Sequence, residues 1–333
     1  MPRLTVVLPI HNGASFLQSA ISSVLSQDYD FLLHVLDDVS TDASPEIAQS
    51  TGDRRVCYSL NSSRFGLFKT LNRAFREAKT PYVRLWAQDD VMLPNSLSTF
   101  MAFADAHRAA GMVYCDFWDI DACGMRTGME QVFEEQRVRT PEVANAAESA
   151  LLFYSFGCLP GNISTVMLRR DVWESVGGFL EGFQQAPDYD MWVRLCAVSK
   201  IGFIRDKLVE LRAHPSQLSK VGHKELTTIS EELSIHRALL GALVSVVPRD
   251  RLLRFWMHNR GRQHAHWIVR AILKGDFAAA RVGWRALAPY GHAWQQFLVW
   301  LATGNGRVFA ERPKTFYDEF RPCITGTLAT EDP

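Results

Sequence analysis

Near-continuous apolar runs, each followed by a stretch of helical periodicity, recur through the first hundred residues, and few folds accommodate that pattern. Leu4 to Leu8 has the composition of a strand buried on both faces. It stops at Pro9, and Asn12-Gly13 turns the chain. Phe16, Leu17, Ala20, Ile21, Val24 and Leu25 then recur at the spacing of one helix face. A second run, Phe31 to Leu36, ends in Asp37-Asp38, and Ser44-Pro45-Glu46 reads as a helix start with Ser as cap and Pro in the first turn. The pattern repeats with a strand from Arg55 to Ser59, a helix from Leu67 to Lys79 and a strand from Tyr82 to Trp86; the next helix starts near Pro94. Such alternation implies right-handed crossovers and a mostly parallel sheet. Ligands of such sheets sit at the carboxyl ends of the strands. Both acidic pairs, Asp37-Asp38 and Asp89-Asp90, fall at such ends.

Beyond residue 110 the elements become mixed. GMVYCDFWD and ISTVMLRR have strand character, Asp171 and Glu174 have capping-box spacing, and Gly177-Gly178 would close that short helix. After about residue 223 the chain reads as helices only, with Gly275 ending one and Asp276 capping the next. The expected organisation is therefore an α/β domain over 1–222, a helical C-terminal region over 223–318 and a loosely held tail over 319–333. Trp267, Trp284, Trp294 and Trp300 would pack the helical core, or else form a homodimer surface or touch membrane lipid.

Charge excludes one class of partner. Lys+Arg and Asp+Glu are 36 each, without the basic excess of a nucleic-acid binder. Six cysteines without a C-x-x-C spacing suggest free thiols in a reducing cytosol. The apolar run before His11 is short for a signal peptide, and no segment reaches the ~18 apolar residues of a membrane span. The expected location is cytoplasmic, either soluble or peripheral at the inner face of the membrane.

The first strand–helix turn, PIHNGAS, has one glycine and lacks both glycine-rich phosphate cradles. Another way of neutralising a diphosphate is needed, and carboxylates with Mg²⁺ or Mn²⁺ supply one. WAQDDVMLP delivers Asp89-Asp90 from an apolar strand to a sheet edge. Taken alone, such a pair is more often a turn or cap. Asp38 alone could belong to a polar loop, and His11 to a loop or core.

Together these segments say more. VVLPIHNGASFLQSAISSVLSQ, VLDDVSTDAS, GLFKTLNRAF, VRLWAQDDVMLP, STVMLRRDVWESVGGF, APDYDMWVRL and LRAHPSQLS resemble glycosyltransferase family 2 in order and spacing, over residues 4 to about 220. The resemblance implies a GT-A fold, Rossmann-like and mostly parallel with flanking helices. Its nucleotide-binding half would span about 1–110 and its acceptor half about 111–222. It implies that Pro9, Ile10, His11 and Asn12 lie under the nucleotide base, that Asp38 reads uracil or ribose, and that Asp89 lies near the ribose. It also implies Asp90 as a ligand of Mn²⁺ or Mg²⁺, with His214 near the metal or diphosphate. Asp188 matches the catalytic base, with Asp190 supporting it or serving only as a helix-start carboxylate. Arg212 and Ser219 match around His214; Lys69 and Asn72 could face the donor, and Trp192 the acceptor or the core. The family often has acids where Ala87 and Pro187 stand, and Thr-Tyr where Ile10-His11 stand.

The implied reaction is an inverting displacement. Asp188 deprotonates an acceptor hydroxyl, on a carbohydrate or lipid-linked acceptor, as it attacks the anomeric carbon of a UDP-sugar or other nucleotide-sugar. The setting would be cell-surface polysaccharide or glycoconjugate synthesis. Two rivals stand beside it. A nucleotidyltransferase would carry a glycine-rich basic loop after the first strand, which PIHNGAS lacks. A non-catalytic nucleotide-sugar-binding protein draws support from Ala87 and Pro187, and retention of Asp38, Asp90, Asp188 and His214 opposes it.

Overall fold

A computed structural model describes residues 2–217, 225–287 and 311–328. Ser219, Trp294, Trp300 and residues 329–333 lie outside the described residues. Nine strands form one sheet: β1 (Leu4–Ile10), β2 (Leu32–Asp37), β3 (Val56–Leu60), β4 (Tyr82–Leu85), β5 (Val91–Met92), β6 (Ala110–Ile120), β7 (Val143–Ala144), β8 (Val166–Arg169) and β9 (Lys200–Arg212). Their order is β3-β2-β1-β4-β8-β6-β9-β5, with β7 also on β9. The first four strands are mutually parallel. β8 runs against both β4 and β6, and the long β6–β9 ladder is parallel. Parallel pairing thus dominates, and the antiparallel β8 joins the two halves of the sheet.

The helices follow from the sequence pattern. α1 (Ala14–Leu25) buries Leu17, Ala20, Ile21 and Val24, which are the expected periodic positions. α2 (Ser44–Gln49) takes Pro45 in its first turn. Its start differs from expectation by one function: Ser44 Oγ accepts the Gly13 N–H, while Asp42 accepts from Ser44 N–H and from Ala14 N–H at the start of α1. One aspartate thereby caps two helices. α3 (Leu67–Glu77) and α4 (Ser96–Ala106) complete the first half. In the second half come α5 (Glu134–Arg139), α6 (Ala146–Phe156), α7 (Arg170–Ser175) and α8 (Pro187–Val198). The expected capping box does not form: Asp171 lies inside α7 and accepts from the adjacent Val172 N–H, while Glu174 pairs with Arg170. Gly177 and Gly178 close α7 at φ 80° and 76°, a region open to glycine.

Helices α9 (Glu225–Leu243), α10 (Arg249–Trp256), α11 (Arg262–Leu273), α12 (Phe277–Leu287) and α13 (Pro313–Leu328) make up the described C-terminal region. Gly275, at φ 77°, ends α11, and Asp276 Oδ1 accepts the Ala279 N–H at the start of α12, as expected. A tail was expected from residue 319. The chain instead stays helical to Leu328, because Phe316, Tyr317, Phe320 and Ile324 recur on one buried face. These residues share one core with Tyr154 of α6, Trp192 of α8 and Trp256 of α10. Trp267 packs at the margin of that core, and Trp284 is 43% exposed. Among the described residues no helix is long and apolar enough to cross a membrane.

Candidate active site

The carboxyl ends of β1, β2 and β4 gather at one edge of the sheet. Asp37, last residue of β2, is used structurally: its carboxylate accepts from Ser40 N–H and Tyr58 O–H. Asp38 is 4% exposed and accepts from Asn61 Nδ2 (2.7 Å), Phe65 N–H (2.6 Å) and Gly66 N–H (2.7 Å). Burial opposes its charge, but the bonds from Phe65, Asn61 and Gly66 outweigh it and hold the pKa below the usual carboxylate range. Asp38 therefore stays ionised and shapes the loop that leads into α3.

Across from it lies the turn after β1. Pro9 is buried within that strand. His11 Nδ1 bonds the Asp38 carbonyl at 2.9 Å, and Asn12, at φ 49°, accepts from the Thr41 N–H. Gln88 clamps this turn from just beyond β4: its Oε1 accepts the His11 N–H and its Nε2 donates to the His11 carbonyl. Gly13 lies directly against that amide, since a Cβ there would come 2.3 Å from Gln88 Cδ. Neither Gln88 nor this use of Gly13 stood out in the sequence.

Asp89 and Asp90 occupy different environments. Asp89 Oδ2 meets His214 Nε2 at 2.9 Å, with side chains 15% and 10% exposed. His214 arrives from just beyond β9 and packs on Phe16 at 4.9 Å between ring centroids. Asp90 is fully buried; one oxygen accepts the Arg212 N–H at 2.9 Å and the other has no hydrogen-bond partner. Burial, then the charge of Asp89, push its pKa up to about 7, and Ser164 and Arg212 offset this only in part. Arg212 ties the group together by donating to the carbonyls of Asp89 and Asp121.

The second half contributes Asp188, the second residue of α8. Its Oδ1 accepts the Tyr189 N–H, and burial raises its pKa above the ordinary value. No cation pairs with it among the described residues. The loop between α6 and β8 packs beside the acidic pair, where Ser164 Oγ accepts the Ala87 N–H, and its Cys158 thiol feels the charge of Asp188. Asp190 is not at this opening: its carboxylate is bound by Arg194, which also donates to the carbonyls of Val176 and Gly178. Trp192 is buried against Phe179, and Asn72 bonds both the N–H and the carbonyl of Phe179. Both are structural here, and Lys69 lies over the Phe65 ring.

Glu231 of α9 is the residue the sequence did not reveal. It is 6% exposed and accepts three successive backbone N–H groups, those of Gln184, Gln185 and Ala186, at 2.7–2.8 Å. It thereby holds the entrance to α8, immediately before Asp188. Two surface hollows, near Ala110 and Lys200 and near Arg3 and Tyr82, open where β6, β9 and β4 begin, at the opposite edge of the sheet.

The described residues contain no group of three or more His, Cys, Asp or Glu able to enclose a metal. Asp89 and His214 still fit a hard divalent cation that takes its remaining ligands from phosphate oxygens and water. Asp38, Asp89, His214 and Asp188 thus supply carboxylates and a histidine able to hold a cation or to accept a proton.

Over residues 5–166 the sequence matches the family described as Glycosyl transferase family 2. An uncharacterized glycosyltransferase of Rickettsia prowazekii is 27% identical over 227 residues, 68% of this chain and 68% of that protein. Among solved structures, S. aureus TarS in complex with UDP-GlcNAc superposes with a TM-score of 0.61 at 17% identity, covering 96% of this chain and 92% of that one. A mannosyltransferase from Pyrobaculum calidifontis, in complex with GDP-Man and Mn²⁺, does so with a TM-score of 0.54 at 16% identity, covering 99% and 88%. At such identities the likeness shows the fold, the GT-A arrangement. The matched family region ends before Asp188 and His214.

Proposed function

Because residues 5–166 match glycosyl transferase family 2, we propose that this chain is an inverting transferase moving a sugar from a nucleotide-sugar, a UDP-sugar, to an acceptor hydroxyl. Synthesis of a cell-surface polysaccharide or glycoconjugate is the proposed setting. The observation that carries the reading is Asp188, a half-buried carboxylate of raised pKa with no cationic partner among the described residues, in a fold that also brings Asp89 and His214 together. The relatives in fold hold UDP-GlcNAc or GDP-Man with Mn²⁺, which supports the donor class and a divalent metal.

The residues divide the work as follows. Asp38 keeps the β2 and α3 loops open for the nucleoside, and His11 and Asn12 line the turn beneath its base. Sequence resemblance favoured Asp90 for the metal and Asp89 for the ribose. Burial supports the reverse, with Asp89 and His214 holding Mn²⁺ or Mg²⁺ and Asp90 bracing Arg212 beneath them. A metal there would stabilise negative charge on the departing nucleoside diphosphate. Asp188 accepts the acceptor's proton; its raised pKa makes it a stronger base than a free aspartate, whose value is near ~3.9.

The test uses the full chain with UDP-, GDP- and dTDP-sugars. One donor should raise the melting temperature with Mn²⁺ and be hydrolysed slowly, releasing sugar of inverted anomeric configuration by NMR. Asp188→Asn should keep donor binding and lose at least about a hundredfold in turnover, the scale of a lost general base. Full turnover in that variant, or release with retained configuration, would overturn the reading. Binding without any turnover in the wild type would favour the non-catalytic rival.

A further inference from the structure

The C-terminal helices bring one more charged group toward Asp188. Between α10 and α11 the chain makes a π-helical turn, Met257–Gly261. Such turns insert a residue into a helix, redirect the side chains beside it and recur at functional sites. Arg260 is the fourth residue of this turn. Its guanidinium lies on the backbone of Gly157, where a Cβ would come 2.4 Å from Nη2 and 3.6 Å from Cζ. Gly157 ends α6 at φ 88°, ψ −149°, which only glycine adopts without strain. The sequence thus keeps a bare backbone where the arginine rests, one residue before Cys158.

Arg260 is partly exposed, and among the described residues it has neither a hydrogen bond nor an ion pair. Glu232 of α9, whose charge Arg260 reaches, pairs with His264 at 2.9 Å. Cys158, the residue after Gly157, feels the charges of both Asp188 and Arg260. A guanidinium presents a planar fork of donors suited to phosphate or carboxylate oxygens.

We propose that Arg260 binds an anionic group, phosphate or carboxylate, on the acceptor, and so orients the attacking hydroxyl toward Asp188. The proposal rests on the transferase reading above. The donor's diphosphate is assigned to the Asp89–His214 side, which leaves the anion to the acceptor. A cation at Gly157 also complements the C-terminal dipole of α6. That role alone would stabilise the fold without any preference among ligands.

The experiment measures binding of glucose 6-phosphate, glucuronate and glucose to the full chain saturated with UDP and Mn²⁺, by titration NMR. Wild type, Arg260→Gln and Arg260→Lys are compared, and UDP affinity is measured for each. In the wild type at least one charged sugar should bind about tenfold more tightly than glucose, as one charge-assisted contact allows. Whether phosphate or carboxylate wins identifies the acceptor's anion. Arg260→Gln should abolish the preference, Arg260→Lys should keep part of it, and UDP affinity should stay unchanged. The proposal falls if the wild type shows no charge preference, or if Arg260→Gln retains it. It falls equally if Arg260→Gln weakens UDP, which would make Arg260 a donor contact. Failure of the wild type to bind UDP at all would instead overturn the transferase reading.

Discussion

Val39 stands at φ 61° immediately after Asp38, and a β-branched side chain in that region is strained by about 1–3 kcal/mol. The carboxylate of Asp37 holds the next N–H, that of Ser40, and so enforces the turn. Val39→Asn should relieve the strain and raise stability by about 1 kcal/mol in urea titration. Unchanged or lower stability would mean that the valine packs well enough to compensate. Asp38→Asn replaces one acceptor oxygen with a donor facing backbone N–H groups. It should cost about 2 kcal/mol and weaken nucleotide binding through the displaced loop, both readable by titration. His236 contributes to acid sensitivity. Burial lowers its pKa to about 3, with the charge of Arg260 adding to the effect. Below the free value of 6.5 the unfolded chain therefore binds the extra proton. The stability of keeping His236 neutral is intact above that pH and is lost as pH falls toward 3. His236→Gln should flatten the fall in urea midpoint between about pH 7 and pH 5; an identical fall in both proteins would assign it elsewhere.

At the scale of elements, α8 shows how a missing motif residue is replaced in space. Pro187 suits the first turn of a helix, having no N–H to leave unpaired. It also removes a carboxylate from the position before Asp188. Glu231 of α9 brings one back to the same helix start, on three backbone N–H groups, each such bond contributing about 1.5–3 kcal/mol. Glu231→Gln should lower donor turnover about tenfold while leaving UDP affinity intact, because a displacement near 1 Å at the reacting group costs rate. Equal loss of nucleotide binding would mean that the whole fold had loosened. The strand ends were legible in the sequence, since apolar runs mark strands and Asp37-Asp38 and Asp89-Asp90 directly follow two of them. The unequal roles within those pairs were not. Which partners each aspartate meets depends on elements far away in the chain, Tyr58 for Asp37, Phe65 and Gly66 for Asp38, His214 for Asp89 and Arg212 for Asp90.

For the whole molecule, the boundary near residue 222 separates kinds of structure without separating cores. Tyr154 of α6 donates to the Leu252 carbonyl, Arg321 of α13 pairs with Glu148, and Arg139 with Asp318. We expect a fragment ending at residue 222 to aggregate or unfold non-cooperatively, because α6 and α8 would expose their C-terminal-facing side chains. A monomeric fragment with a sharp thermal transition would show the halves to be independent. The sequence by itself determined the order of strands and helices in the first half, the acidic pairs at the sheet's carboxyl edge, and the resemblance to glycosyl transferase family 2, because periodicity and short motifs are local properties. Only the tertiary structure decided that Asp90 is buried while Asp89 faces His214, that Glu231 holds the approach to Asp188, and that Arg260 rests on Gly157. Each of those pairings joins residues tens to more than a hundred positions apart. Contact across such separations is set by how the elements pack and which polar atoms are left to satisfy, and no local pattern encodes it.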